Sequence, residues 1–107
     1  MNNDKHTIES ILKTMLGTVK TIDIEIFNIW GDDTVLTRYG NPYLLIYVDY
    51  FDLKNKKFLC KKTTGFQYTE ALLILDMEIG RRYRVTCERI NGFWHWTDMQ
   101  YLEVDKK

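Results

Sequence analysis

The sequence predicts a mainly β domain: five strands closed into a barrel, with one short helix before them and another between the third and fourth. Three observations carry this expectation. Apolar residues alternate with polar ones in several separate runs, the period at which side chains fall on opposite faces of a strand. Aromatic residues are abundant, with 7 Tyr, 5 Phe and 3 Trp among 107 residues, and aromatics favour strands. Turn-forming residues punctuate the runs, most sharply at Asn91-Gly92, where both positions tolerate the positive φ of a two-residue hairpin.

A chain of 107 residues is expected to form one domain, residues 1–107, large enough to bury a core without disulfides or a structural metal. Its formal net charge of 0 excludes a uniformly basic nucleic-acid binder, so any electrostatic site must be a local patch. A single Ala and a single Pro against many Asn, Lys and Ile is the bias of an AT-rich bacterial or phage genome. Cys60 and Cys87 fall inside expected strands without paired C-x-x-C spacing. They read as reduced, partly buried thiols of a cytosolic protein, a cross-strand disulfide being the alternative. No apolar run reaches membrane-spanning length, and the first residues lack the apolar stretch of a signal peptide. The expected location is therefore the cytoplasm, with no membrane partner.

The first element is a helix over 7–17. Ile8, Ile11, Leu12, Met15 and Leu16 recur at spacings of three and four, Glu9 and Lys13 lie elsewhere on the wheel, and Gly17 is a helix stop. Its apolar stripe is expected to cap an open end of the barrel, docking on a partner chain being the alternative. The barrel occupies 19–104. Its first strand spans 19–30, where Ile22, Ile24 and Ile26 alternate with Asp23 and Glu25, and Trp30 ends it. Gly31-Asp32-Asp33 and the turn residues through Pro42 predict a long loop over 31–42. The second strand, 43–51, turns Leu44, Ile46 and Val48 to the core and Tyr43, Leu45, Tyr47 and Asp49 outward. After a polar turn at 52–56, the third strand, 57–63, sets Phe58 and Cys60 against Lys57 and Lys61. Those lysines are expected to face solvent beside the tyrosines.

Residues 69–77 combine a candidate N-cap at Thr69 with a compact apolar run, predicting a short helix; a buried strand over 72–75 is the alternative. The fourth strand, 81–90, places Tyr83, Val85 and Cys87 on one side and Arg82, Arg84, Thr86 and Glu88 on the other. A two-residue turn at Asn91-Gly92 then pairs Ile90 with Phe93, Arg89 with Trp94, Glu88 with His95 and Cys87 with Trp96. Trp94 and Trp96 thereby join Val85 and Cys87, which favours core packing over stacking platforms, and Arg89 is set for a local cation–π contact with Trp94. Phe93, His95 and Thr97 share the opposite face. Past Asp98 the register is open, since Leu102 and Val104 also look buried and a bulge would reconcile them. Residues 105–107 read as a frayed tail.

Five strands with a helix between the third and fourth resemble the OB-fold, the Greek-key barrel of many binders of oligonucleotides and oligosaccharides. The resemblance covers 19–104 and rests on order and spacing. Within that family the chain is most similar to small accessory proteins from the replication modules of phages and mobile elements, through its composition and the segment Gly92-Phe93-Trp94-His95-Trp96. The resemblance implies a ligand face on the outer side of strands two and three, flanked by the loops joining strands one to two and four to five. The latter is only Asn91-Gly92 here, whereas many members grip nucleic acid with a long hairpin at that place.

Single-stranded nucleic acid is held by rings on which bases stack and by cations that follow the phosphates. Tyr43 and Tyr47 on strand two, Lys57 and Lys61 on strand three, and Arg38 and Tyr39 in the long loop are expected to form one patch, extended by Arg82 and Arg84. In a purely structural role the same residues would be strand formers and a solvated, edge-protecting face. The expected function is that of an accessory protein binding single-stranded DNA or RNA in a replication or recombination module. The alternative is a protein-interaction subunit docking on a replicative polymerase, primase or helicase, which zero net charge and the short last hairpin favour. An enzyme is not expected: the chain has no Gly-rich phosphate loop, no G-x-S-x-G, no H-E-x-x-H, no Cys/His metal spacing and no cofactor motif. His6 lies in the N-terminal segment, taken as mobile, His95 is a lone strand histidine, and Asp32-Asp33 reads as turn chemistry in preference to a cation site.

Overall fold

Alternation of Ile22, Ile24 and Ile26 with Asp23 and Glu25 produces a strand, but a longer one than the pattern announces. In the computed structural model, which describes residues 4–102 apart from the side chains at 4–6, 10 and 14, β1 runs Val19–Leu36. It lies in one antiparallel sheet with β2 (Pro42–Asp52), β3 (Lys57–Thr64), β4 (Arg82–Ile90) and β5 (Phe93–Tyr101), in the order β3-β2-β1-β4-β5. Helix α1 (Asp4–Met15) precedes β1 and takes in His6; helix α2 (Tyr68–Leu75) joins β3 to β4. No described helix is long and apolar enough to cross a membrane.

The first half of β1 pairs with β4, from Val19 opposite Glu88 to Glu25 opposite Arg82, and its second half pairs with β2. The register steps from Ile26 opposite Tyr50 to Asn28 opposite Asp49, leaving Phe27 as the extra residue of a bulge. One inserted residue reverses which side chains face inward. Before it Ile22, Ile24 and Ile26 face the core; after it Ile29 does, and Trp30 turns outward.

The long loop expected over 31–42 is instead the end of a hairpin. Gly31 stands opposite Ile46 and Asp32 opposite Leu45. A Cβ at position 31 would lie 3.2 Å from Leu44 Cδ1, so this glycine serves close strand packing and not a turn. A second bulge, between Asp32 and Val35, is held by Asp32 Oδ1, which accepts from Thr34 N at 2.9 Å and Thr34 Oγ1 at 2.6 Å. Reversal is confined to 37–41, where Gly40 has φ 81° and its N–H donates to Thr37 O at 2.9 Å.

The β2–β3 turn is organised by Asp52, a buried residue whose Oδ1 accepts from Lys54 N and Asn55 N, both at 3.0 Å, and whose Oδ2 accepts from Asn55 Nδ2 at 2.9 Å. Asn55's hydrogen bonds hold the Asp52 carboxyl below the usual carboxylate range. A depressed folded-state pKa contributes stability that is complete above the unfolded value of about 4 and is lost as pH falls through the folded one. Asp52→Ala is therefore expected to cost about 1–3 kcal/mol at neutral pH. Urea titrations at pH 7 and pH 3 check this: the gap between variant and parent narrows at the lower pH.

The core joins Ile24, Ile26, Ile46, Val48 and Val85 of the sheet to Ala71, Ile74 and Met77 from α2 and its C-terminal side, with Tyr83, Cys87 and Trp96 completing it. The segment expected to be a helix over 69–77 is helical over Tyr68–Leu75, because only this period buries Ala71 and Ile74 together while leaving Leu72 and Leu75 exposed. Its N-cap is Gln67, without a side-chain cap bond, and not Thr69. The last hairpin has the expected register through Cys87 opposite Trp96. A bulge then falls at Thr97, earlier than the stretch past Asp98 where the sequence left the register open, since Thr86 already pairs with Asp98. The cation over Trp94 is Lys20, 4.3 Å from the ring centroid, in place of Arg89. Leu102 is half-buried; Val104 and 105–107 lie outside the described residues. Both cysteines are free, Cys60 exposed and Cys87 buried, and desolvation pushes the Cys87 thiol up to about 11.

Three further expectations are corrected. The apolar stripe of α1 does not cap the sheet: Ile8, Ile11, Leu12, Met15 and Leu16 are all at least half exposed. The helix is instead tethered by its polar side, through Lys13 to Glu88 at 3.6 Å and Thr18 to Lys13 O. In β3 the facing is reversed, because Lys61 pairs with Val48 and Thr63 with Ile46, while Phe58 and Cys60 fall outward.

The sheet also does not close into a barrel by backbone pairing; β3 and β5 are both edges. Side chains occupy the seam between them. Glu70 of α2, 4% exposed, accepts from Thr63 Oγ1 of β3 and from Trp96 N of β5, each at 2.5 Å. Lys61 completes the bridge, 3.1 Å from Glu70 Oε2 and donating to Trp94 O at 3.3 Å.

Candidate nucleic-acid interface

Outward-facing residues of β2 recur at every second position, and three of them are aromatic at intervals of four: Tyr43, Tyr47 and Phe51. At strand rise these rings stand about 13 Å apart and span about 27 Å. Each is joined by rings from a neighbouring segment. Tyr43 stacks with Phe66 at 5.6 Å between centroids, and Tyr47 stacks with Trp30 at 4.0 Å and 9° between planes. Phe51 meets Phe58 edge-on at 4.8 Å, and Phe58 meets Phe27 at 5.1 Å.

Leu45, between the first two stations, is buried yet lies outside the core cluster. It underpins this face from the outer side of the sheet. Trp30 is fixed further by its Nε1–H, which donates to Asp49 Oδ2 at 3.1 Å. Trp30 nevertheless keeps 43% of its surface exposed, and Phe58 and Phe66 about 70%. Rings already held in place present a contact surface at little further entropic cost.

The eight residues expected to form one patch separate into three groups. Arg38, Tyr39 and Tyr43 line an open groove at the hairpin end with Phe66, and Arg38 lies over the Tyr39 ring at 5.2 Å. Tyr47 continues this face through Trp30. Arg82 and Arg84 occupy the β4 side of the sheet, where each is matched by a carboxylate across the strand pair: Arg82 Nε to Glu25 at 2.8 Å and Arg84 Nε to Asp23 at 2.8 Å. Arg84's hydrogen bonds hold the Asp23 carboxyl low. Lys57 and Lys61 belong to the inner side, Lys61 in the seam and Lys57 at the mouth of a cleft beside it. The cation beside Tyr47 on the outer face is its register partner Lys62. Among the described residues neither Lys62 nor Arg38 makes an ion pair.

Sequence reasoning missed Trp30, Phe27, Phe58, Phe66 and Lys62 at this face. Trp30 and Phe27 depend on a bulge that has no local signature, and Phe58 and Lys62 depend on β3 facing the other way. Among the described residues no group of His, Cys, Asp or Glu is placed to hold a metal ion. No protein-family model matches this chain, and neither a curated protein nor a solved structure matches it.

Proposed function

We propose that the outer face of β1, β2 and β3 binds single-stranded nucleic acid, as an accessory activity of a cytoplasmic replication or recombination module. The observation that carries this reading is the row of three exposed aromatic stations on one sheet face. Unpaired bases stack on such rings whatever their sequence, at about 1–3 kcal/mol each, while duplex bases are already stacked on each other. A strand at the 3.4 Å rise of stacked nucleotides covers the row in about eight nucleotides, and an extended one in fewer. Arg38 and Lys62 supply the cations for phosphates. The strand order supports an OB-type relationship, since β3-β2-β1-β4-β5 is the order of that barrel opened between β3 and β5.

Fluorescence anisotropy with labelled single-stranded and duplex oligonucleotides at low and moderate salt tests this. The expected result is preference for the single strand, with an affinity that falls modestly as salt rises because few phosphates are neutralised. Equal affinity for duplex, or no binding at low salt, would sink the reading.

The exposed apolar stripe of α1 favours a second activity, docking on a partner protein such as a replicative polymerase, primase or helicase. A contact of that kind is apolar and keeps its affinity as salt rises.

A further inference from the structure

The open seam leaves a cleft on the inner side of the sheet, opposite the aromatic row. Its volume is about 360 Å³, within the range of small-molecule sites. Two kinds of group converge there. Trp94, Trp96 and Tyr50 supply rings, Tyr50 meeting Trp96 edge-on at 5.3 Å. Lys20, Lys57 and Lys61 supply ammonium groups.

The charges are unequally compensated. Lys61 is matched by Glu70 at 3.1 Å. Asp52, also in the lining, accepts from Lys54 N and from Asn55 and keeps its negative charge, which Lys57 partly offsets. Lys20 and Lys57 make no ion pair among the described residues. The cleft therefore offers a planar apolar wall at Trp94, with Lys20 poised over that ring at 4.3 Å, and two ammonium groups at its mouth. An anion that draws the Lys20 ammonium off the ring would uncover that face of Trp94 to stack on an attached planar group.

We propose that this cleft binds a nucleoside monophosphate unit, with the phosphate between Lys20 and Lys57 and the base against Trp94. The unit is either a free nucleotide or the phosphorylated end of a strand. The site is separate from the outer face and does not rest on strand binding there.

Two-dimensional ¹H–¹⁵N NMR of the full chain resolves the indole N–H of each of its 3 Trp residues. Thymidine 5′-monophosphate is expected to move the Trp94 signal while leaving Trp30 in place, and thymidine or inorganic phosphate alone to bind at least about tenfold more weakly, because each lacks one half of the contact. Lys20→Met and Lys57→Met should each weaken the monophosphate about tenfold; both side chains are exposed, and unchanged spectral dispersion verifies folding. A 5′-phosphorylated oligonucleotide that moves Trp94 where its 5′-hydroxyl counterpart does not identifies a strand end as the source. Movement with the mononucleotide but not with that oligonucleotide identifies the free ligand. No movement of Trp94 at millimolar monophosphate, equal movement by thymidine, or an unweakened Lys20→Met/Lys57→Met double variant would overturn the proposal. Outer-face binding, read at Trp30, could stand or fall independently.

Discussion

Glu70→Ala is expected to lower the unfolding free energy by about 3–5 kcal/mol, the cost of breaking one partner out of a buried charge pair. Both carboxylate oxygens are in use: Oε1 by Thr63 Oγ1, with His95 Nδ1 at 3.7 Å, and Oε2 by Trp96 N and Lys61. Truncation strands the Lys61 ammonium, whose side chain is only 13% exposed, and removes the acceptor for an edge N–H of β5. Lys61→Met added to Glu70→Leu should restore much of the loss, since apolar replacement of both partners avoids the unpaired charge. Urea denaturation of the parent, Glu70→Leu, Lys61→Met and the double variant checks this as a thermodynamic cycle, with Glu70→Ala measured beside it. A loss below about 1 kcal/mol for Glu70→Ala would mean that Glu70 does not hold the seam.

The second large effect is on binding. Trp30→Ala together with Tyr47→Ala removes the central station, and single-strand affinity is expected to fall about 10- to 100-fold, the worth of one stacked base. Neither residue belongs to the core cluster, so the urea midpoint should move little. The salt dependence should stay unchanged because no cation has been removed. Lys62→Met gives the converse, a smaller loss of affinity with a shallower salt slope. Arg84→Gln serves as the contrast: its charge is already matched by Asp23, so little binding is lost. Full affinity in the Trp30/Tyr47 variant would remove the aromatic row as the ligand face.

Much of the fold is legible in the residues themselves. Period-two alternation locates the strands at Ile22–Ile26 and Tyr83–Cys87, and Asn91-Gly92 determines the last hairpin's register, because a two-residue turn with both φ positive, 53° and 85°, permits only one pairing. Helical periodicity likewise announces α1, whereas the apolar run of α2 also fitted a buried strand. These are local properties, decided by backbone sterics and the spacing of apolar side chains.

What only the tertiary structure decided is which face each strand turns inward. A single inserted residue, Phe27, reverses the facing of the rest of β1 and places Trp30, whose side the sequence left open, on the outer face. In β3 both faces hold apolar and charged residues, so its own pattern is ambiguous. Pairing with β2 sets Lys61 inward, where Glu70 from α2 can neutralise it, and Phe58 outward. Closure of the barrel is likewise non-local, depending on whether β3 and β5 meet directly or across the side chains of Glu70 and Lys61. The candidate site inherits this division: Tyr43, Tyr47, Arg38 and Tyr39 were readable from one strand and its turn. Their aromatic partners come from β1, β3 and the segment after β3, which only folding brings alongside.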